Sequence, residues 1–212
     1  AGITRNKVGE ELLRLGVTPA SVSRMQIPGI TPPVPTVGPD EFLRRAAAVP
    51  LLADPGRRWS YSMGLDVLGL VIQRVSGAKS FGDFLQERLF GPAGMTSSFF
   101  QVPEAEEPRL TTNYGVLAGV PIAIDRAVNS IYRDSPAFAY GGAGLVSTPA
   151  DYDRFLQMLV TGGLVGGRRV MSERAVALGT SNLLPAGVEM KGTFAEGAGF
   201  GAGGRVGLGA DE

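Results

Sequence analysis

A chain of 212 residues with 44% hydrophobic and 19% charged residues has the composition of a globular protein and not of a disordered one. Twenty basic residues balance twenty acidic ones without a long run of either sign, which argues against a nucleic-acid surface. Cysteine and histidine are both absent, which excludes disulfides, thiolate zinc sites and an imidazole base, so any serine chemistry here uses another base.

The chain opens with apolar residues at helical spacing (Val8, Leu12, Leu13, Leu15), closed by Gly16. Its first residues, Ala1-Gly2-Ile3-Thr4-Arg5, carry no signal-peptide pattern, and no compartment is legible in them. Pro28, Pro32, Pro33, Pro35 and Pro39 follow, a density that disfavours helix and central strand alike and predicts an extended surface loop or cleft rim. Pro39-Asp40-Glu41 suits a first helical turn, predicting a helix over 39–49. Residues 65–75 are apolar almost all round (Leu65, Val67, Leu68, Leu70, Val71, Ile72, Val75), which predicts a buried helix. Gly77 fits its left-handed stop.

Ser80 and Asp83, three apart, form a capping-box variant for a helix over 80–90. Thr148-Pro149-Ala150-Asp151 starts another helix with proline at its first position, ended by Gly162-Gly163. A last helix is expected over 172–179. Strands are expected at 110–116, 120–124, 144–147 and 199–206. Helices and strands do not alternate as in a βαβ array, so the expected class is α+β, mostly helical with antiparallel pieces. No apolar run reaches the roughly 18 residues of a membrane span.

The stretch Pro55-Gly56-Arg57-Arg58-Trp59-Ser60-Tyr61-Ser62-Met63 puts a Tyr-Ser pair at a loop-to-helix junction. There a phenol can face a cleft while its backbone is held. With a pKa of about 10, a phenol is a poor base at neutral pH unless an ammonium stabilises the phenolate. Beside a lysine it can take a proton from a serine hydroxyl and hand it to a leaving alcohol. The plainer reading is a tyrosine that packs its ring at a helix N-terminus. Trp59 and Phe81 read as core or rim packing, with Trp59 close enough to Tyr61 to wall the cleft. Glu104, Glu106 and Glu107, between Pro103 and Pro108, read as a solvated loop and not a metal site. The glycine-dense residues 199–209 lack the Gly-Lys-Thr/Ser ending of a phosphate loop.

Around Tyr61 the pattern is Pro-Gly-Xaa-Xaa-Trp-Xaa-Tyr-Ser, then a helix closing in Ser76-Gly77, then Phe81-Gly82-Asp83-Phe84 and Phe90-Gly91-Pro92-Ala93-Gly94-Met95-Thr96. Gly141-Gly142-Ala143-Gly144-Leu145 follows in order and runs on through Asp151 to Phe155. Together these motifs resemble the penicillin-recognising serine hydrolases: class C β-lactamases, DD-peptidases and the β-lactamase-like carboxylesterases, the family VIII esterase branch most closely. The resemblance implies a β-lactamase/transpeptidase-like fold and hydrolysis of a small-molecule carboxylic ester through an acyl-enzyme. In its Ser-Lys-Tyr site Tyr61 is the tyrosine. Trp59, Ser62, Met63, Gly142 and Ala143 are expected along the substrate pocket, with no cofactor and no metal. A β-lactamase or D-amino-acid peptidase, an acyltransferase of the same fold, and a non-catalytic binding homologue are the alternatives.

Two departures favour esters. Met63 stands where β-lactamases and DD-peptidases carry an asparagine two residues after the tyrosine, and a thioether donates no hydrogen bond. Ala143 stands where class C enzymes carry a bulky tyrosine, which widens the acyl pocket. Ser76-Gly77-Ala78-Lys79 matches Ser-Xaa-Xaa-Lys as a string, but Gly77 breaks the helix that would bring the two side chains to one face. The family's nucleophile motif lies well before its tyrosine, and a Lys/His/Trp-Xaa-Gly strand follows a glycine-rich strand like 199–204. Residues 1–212 are therefore expected to be a single partial domain, whose partner for activity is the remaining part of the same hydrolase.

Overall fold

The computed structural model describes residues 10–12, 14–15, 37–188 and 190–209. Of the expected first helix, residues 10–12 and 14 are helical; its other positions and the loop at Pro28, Pro32, Pro33 and Pro35 lie outside the described residues. Helix α1, Pro39–Ala47, begins as its first turn dictates, with Pro39 at the start and Asp40 and Glu41 at the positive end of the helix dipole. Glu41 accepts hydrogen bonds from Arg44 at 2.7 Å and Arg45 at 2.5 Å, clamping the exposed side. The buried side carries Phe42, whose ring lies 5.2 Å from that of Phe138.

Helix α2, Gly64–Ser76, ends where Gly77 takes φ 71°. The expectation that it is buried on all sides does not hold. Only Asp66, Gly69 and Leu70 are buried, whereas Leu65, Leu68 and Val71 are exposed and Val75 is 84% exposed. Burial requires an opposing surface, and the described residues supply one to a single face of α2, through the segment around Gly141 and helix α3.

Helix α3, Phe81–Leu85, is capped as predicted: Ser80 Oγ accepts from Asp83 N–H at 3.0 Å and donates to the Asp83 carboxylate at 2.8 Å. It runs on through one π-helical turn, Gln86–Phe90, into the short α4, Gly91–Ala93. Strands β1, Asn113–Leu117, and β2, Val120–Asp125, form an antiparallel hairpin pairing Leu117 with Val120. The glutamate cluster folds as a 3-10 helix, Glu104–Arg109, and its Glu106 and Glu107 pair with Arg109 and Arg133. No group of carboxylates arranged for a metal occurs among the described residues.

Helix α5, Pro149–Val160, starts at Thr148, whose Oγ1 accepts from Asp151 N–H at 3.2 Å. A small hairpin follows, β3, Leu164–Val165, with β4, Arg168–Arg169, closed by Gly166-Gly167. Helix α6, Glu173–Thr180, is capped by Ser172. The strand expected over 144–147 reduces to one antiparallel bridge, Phe99 to Val146, with both hydrogen bonds at 2.8 Å. No ladder extends from it, because the adjacent Ser97 N–H and Ser98 hydroxyl go to the Asp151 carboxylate. The strand expected over 199–206 is instead a hairpin, β5, Gly199–Phe200, and β6, Arg205–Val206, because Gly201 N–H turns back to the Gly204 carbonyl at 2.8 Å.

The molecule is thus α+β, with helices carrying most of the regular structure and three two-stranded antiparallel sheets among the described residues. One core cluster unites Phe42, Met63, Leu70, Phe138 and Tyr140; a second holds Phe90, Ala93 and Met95 against Phe155 of α5. No helix among the described residues is long and apolar enough to cross a membrane.

Candidate active site

Tyr61 sits three residues before α2, in irregular chain that bends at Ser62 and turns at Met63 into the helix. Its side is set by aromatic packing. The ring of Phe194 meets it edge-on at 5.4 Å, Trp59 lies 6.3 Å away, and Trp59 in turn packs on Phe194 at 5.8 Å and Phe200 at 5.1 Å. Edge-to-face pairs of this kind add specificity of orientation to burial. Tyr61 nevertheless stays 61% exposed, and no described group hydrogen-bonds its hydroxyl. The ring is therefore packed on its aromatic neighbours while most of the residue stays exposed.

A cavity of about 380 Å³ opens on one side of this cluster. Its lining includes Trp59, Tyr61, Ser62, Gly142 and Ala143, so five of the six residues expected at the site are brought together. On the other side a hollow of about 220 Å³ is lined by Arg58, Lys191 and Phe194 together with Trp59 and Tyr61.

Met63 is the exception, and a correction. It does not line the cavity; it is 9% exposed and belongs to the core cluster with Phe42, Leu70, Phe138 and Tyr140. At the N-cap of α2 its backbone has already turned toward helix, and the apolar thioether is drawn into the aromatic core. Ser76 and Lys79 stand apart from the site. Ser76 Oγ donates to the Gln73 carbonyl at 3.1 Å at the closing turn of α2, and Gly77 separates it from Lys79.

Three contributors escaped the reading of the sequence. Phe194 and Phe200 come from the far end of the chain, in a glycine-rich stretch with no periodicity to flag them. Asp66 did carry a signal, as the one acidic residue within a largely apolar run. It lines the cavity, is only 3% exposed, and its Oδ1 accepts from Gly142 N–H at 2.8 Å. Burial pushes its carboxyl above the usual carboxylate range, opposed in part by that hydrogen bond.

Comparison with known proteins bears on the family and the fold. The Beta-lactamase family model matches residues 17–210. Protein Rv1367c of Mycobacterium tuberculosis (strain ATCC 25618 / H37Rv) is 38% identical over 141 residues, 66% of this chain and 35% of the relative. Lovastatin esterase of Penicillium rubens is 33% identical over 117 residues, 52% of this chain and 28% of the enzyme. Among solved structures, EstCE1, a hydrolase with promiscuous acyltransferase activity, superimposes with a TM-score of 0.71 at 24% identity, covering 92% of this chain and 50% of its own. The chain thus spans about a third of the curated relatives and half of the structural one. With a family model spanning nearly all of its length and a matching fold, the chain belongs to the beta-lactamase family.

Proposed function

We propose that this chain is the tyrosine-bearing portion of a serine hydrolase that cleaves small carboxylic esters through an acyl-enzyme, with Tyr61 managing the proton. The observation that carries the reading is an exposed Tyr61 that packs its ring on Phe194 and lines a cavity of about 380 Å³. In the proposed cycle a serine hydroxyl attacks the ester carbonyl while Tyr61, as phenolate beside a lysine ammonium, takes the serine proton. Tyr61 then returns that proton to the leaving alcohol, and water, deprotonated in the same way, releases the acid. Serine and lysine come from the rest of the hydrolase. The partly exposed Leu65, Leu68 and Val71 on α2, of which Leu65 lines the cavity, are the apolar seat we assign to that part.

Ester rather than amide cleavage is favoured by Met63, since a buried thioether offers no donor to a substrate amide. The esterase name of the Penicillium relative supports the same choice. The test is full-length hydrolase incubated with a fluorophosphonate probe, then assayed on p-nitrophenyl butyrate and on a chromogenic cephalosporin. One adduct with ester turnover is the expected result. Labelling with faster cephalosporin cleavage would replace the reading with a β-lactamase, and no adduct would leave a non-catalytic homologue.

A further inference from the structure

We propose that Asp66 is a positioning residue that fixes the Gly142 and Ala143 wall of the Tyr61 cavity and so sets which acyl chains fit; the proposal rests on the ester-hydrolase reading above. Asp66 lies in the first turn of α2, five residues after Tyr61, and is 3% exposed. Burying a carboxylate is costly unless donors compensate for its lost hydration. Here a single described donor reaches it, Gly142 N–H at 2.8 Å to Oδ1, and no described donor reaches Oδ2. One hydrogen bond is a poor return for stability alone, and an apolar residue would pack at less cost. What the bond does achieve is geometric. It ties the cavity wall to the helix end that follows Tyr61.

The contact is tight enough to matter. A methyl group on Gly142 would stand 3.0 Å from Asp66 Oδ1 and 3.3 Å from its Cγ, so the wall lies flat on the carboxylate. On one side Gly141 backbone abuts the Leu65 carbonyl; on the other Ala143 packs against the core cluster that holds Met63. Asp66 is the hydrogen-bonded pin between these two packing contacts, and it also lines the cavity. Releasing it lets Gly142 and Ala143 move relative to the Tyr61 end of α2. That changes the space for an acyl group more than the proton chemistry at the phenol.

The experiment uses the full-length hydrolase and its Asp66→Asn, Asp66→Ala, Gly142→Ala and Tyr61→Phe variants, with steady-state kinetics on p-nitrophenyl acetate, butyrate and octanoate. Asparagine keeps the acceptor, so Asp66→Asn is expected to stay within about threefold of wild type on every ester. Asp66→Ala should raise KM for acetate about tenfold with kcat within about threefold, shifting preference toward octanoate. Gly142→Ala, which pushes the wall off the carboxylate, should shift preference the same way and decides the matter if Asp66→Ala does not fold. Unchanged chain-length preference in both wall variants, or an Asp66→Asn that behaves like Asp66→Ala, overturns the assignment. Wild-type enzyme without ester turnover, or full activity in Tyr61→Phe, overturns instead the reading on which it rests.

Discussion

The backbone of Gly141 lies directly on α2 at Gly69: a methyl group on Gly69 would stand 3.1 Å from the Gly141 Cα, and one on Gly141 would fall 2.0 Å from the Leu65 carbonyl oxygen. This is a backbone-to-backbone seam, and it brings the cavity wall to the helix that follows Tyr61. The two glycines should differ sharply on substitution. Gly141→Ala forces backbone apart and is expected to cost about 3 kcal/mol, the upper range for overpacking. Gly69→Ala meets a milder contact and gains about 1 kcal/mol of helix propensity, so its net loss is smaller. Urea unfolding of both variants checks the order; equal costs would mean the seam is loose in solution.

Tyr61→Phe removes an oxygen from a ring that is 61% exposed and held by Phe194 and Trp59. Stability should therefore stay within about 0.5 kcal/mol of wild type. In the full-length hydrolase kcat on p-nitrophenyl butyrate should fall by about 10² to 10⁴, the usual worth of a positioned acid–base group. Normal thermal melting with lost turnover is the expected pair of results. Retained turnover would remove Tyr61 from the chemistry.

Local signals in the sequence carried far in this protein, and non-local ones did not. The Ser80–Asp83 cap, the Thr148-Pro149 start and the Gly77 stop are written in three or four adjacent residues and appear as expected. Burial is different, because it depends on what lies opposite. The apolar run of α2 suggested a helix covered all round, yet Leu68 and Val71 stay 45% and 46% exposed. The same limit hid the aromatic box. Trp59 and Tyr61 were legible as neighbours, but Phe194 and Phe200 reach them only through the folding of the glycine-rich end. Met63 was misplaced for a related reason: its position after the tyrosine suggested the pocket, whereas the core beside it offered apolar contacts.

A polar network joins α5 to the segment after α4. Asp151, 2% exposed, accepts from Ser97 N–H at 2.7 Å and Ser98 Oγ at 2.9 Å, with Arg154 at 3.4 Å. Ser98 is itself buried and also bonds Ser147 at 2.8 Å, next to the Phe99–Val146 bridge. Asp151→Ala strands these donors and should cost about 3 kcal/mol, while Thr148→Ala, which loses only a cap, should cost about 1 kcal/mol. The double variant should cost close to the sum, since Thr148 caps through the backbone N–H of residue 151, which Asp151→Ala leaves in place. A urea double-mutant cycle measures this; a coupling well above about 0.5 kcal/mol would mean that the cap depends on the Asp151 carboxylate.

The buried carboxyl of Asp66 also makes a prediction about pH whose sign is opposite to that of most paired carboxylates. Burial raises its folded-state pKa, with the Gly142 N–H bond only partly opposing the rise. In the unfolded chain the group titrates near its ordinary value of about 3.9. Between these two values the folded protein binds more protons than the unfolded one, so stability falls as pH rises. Below the unfolded value both states are neutral and the penalty vanishes; above the folded value it is complete. Asp66→Asn keeps the hydrogen bond to Gly142 and removes the titration. Its stability relative to wild type should therefore increase from about pH 4 upward and level off above the folded pKa, while contributions from the other carboxylates cancel in the difference. Urea midpoints of the two proteins across this range decide the sign. A difference that instead shrinks with rising pH would mean that the fold holds Asp66 ionised, with the Gly142 bond outweighing burial.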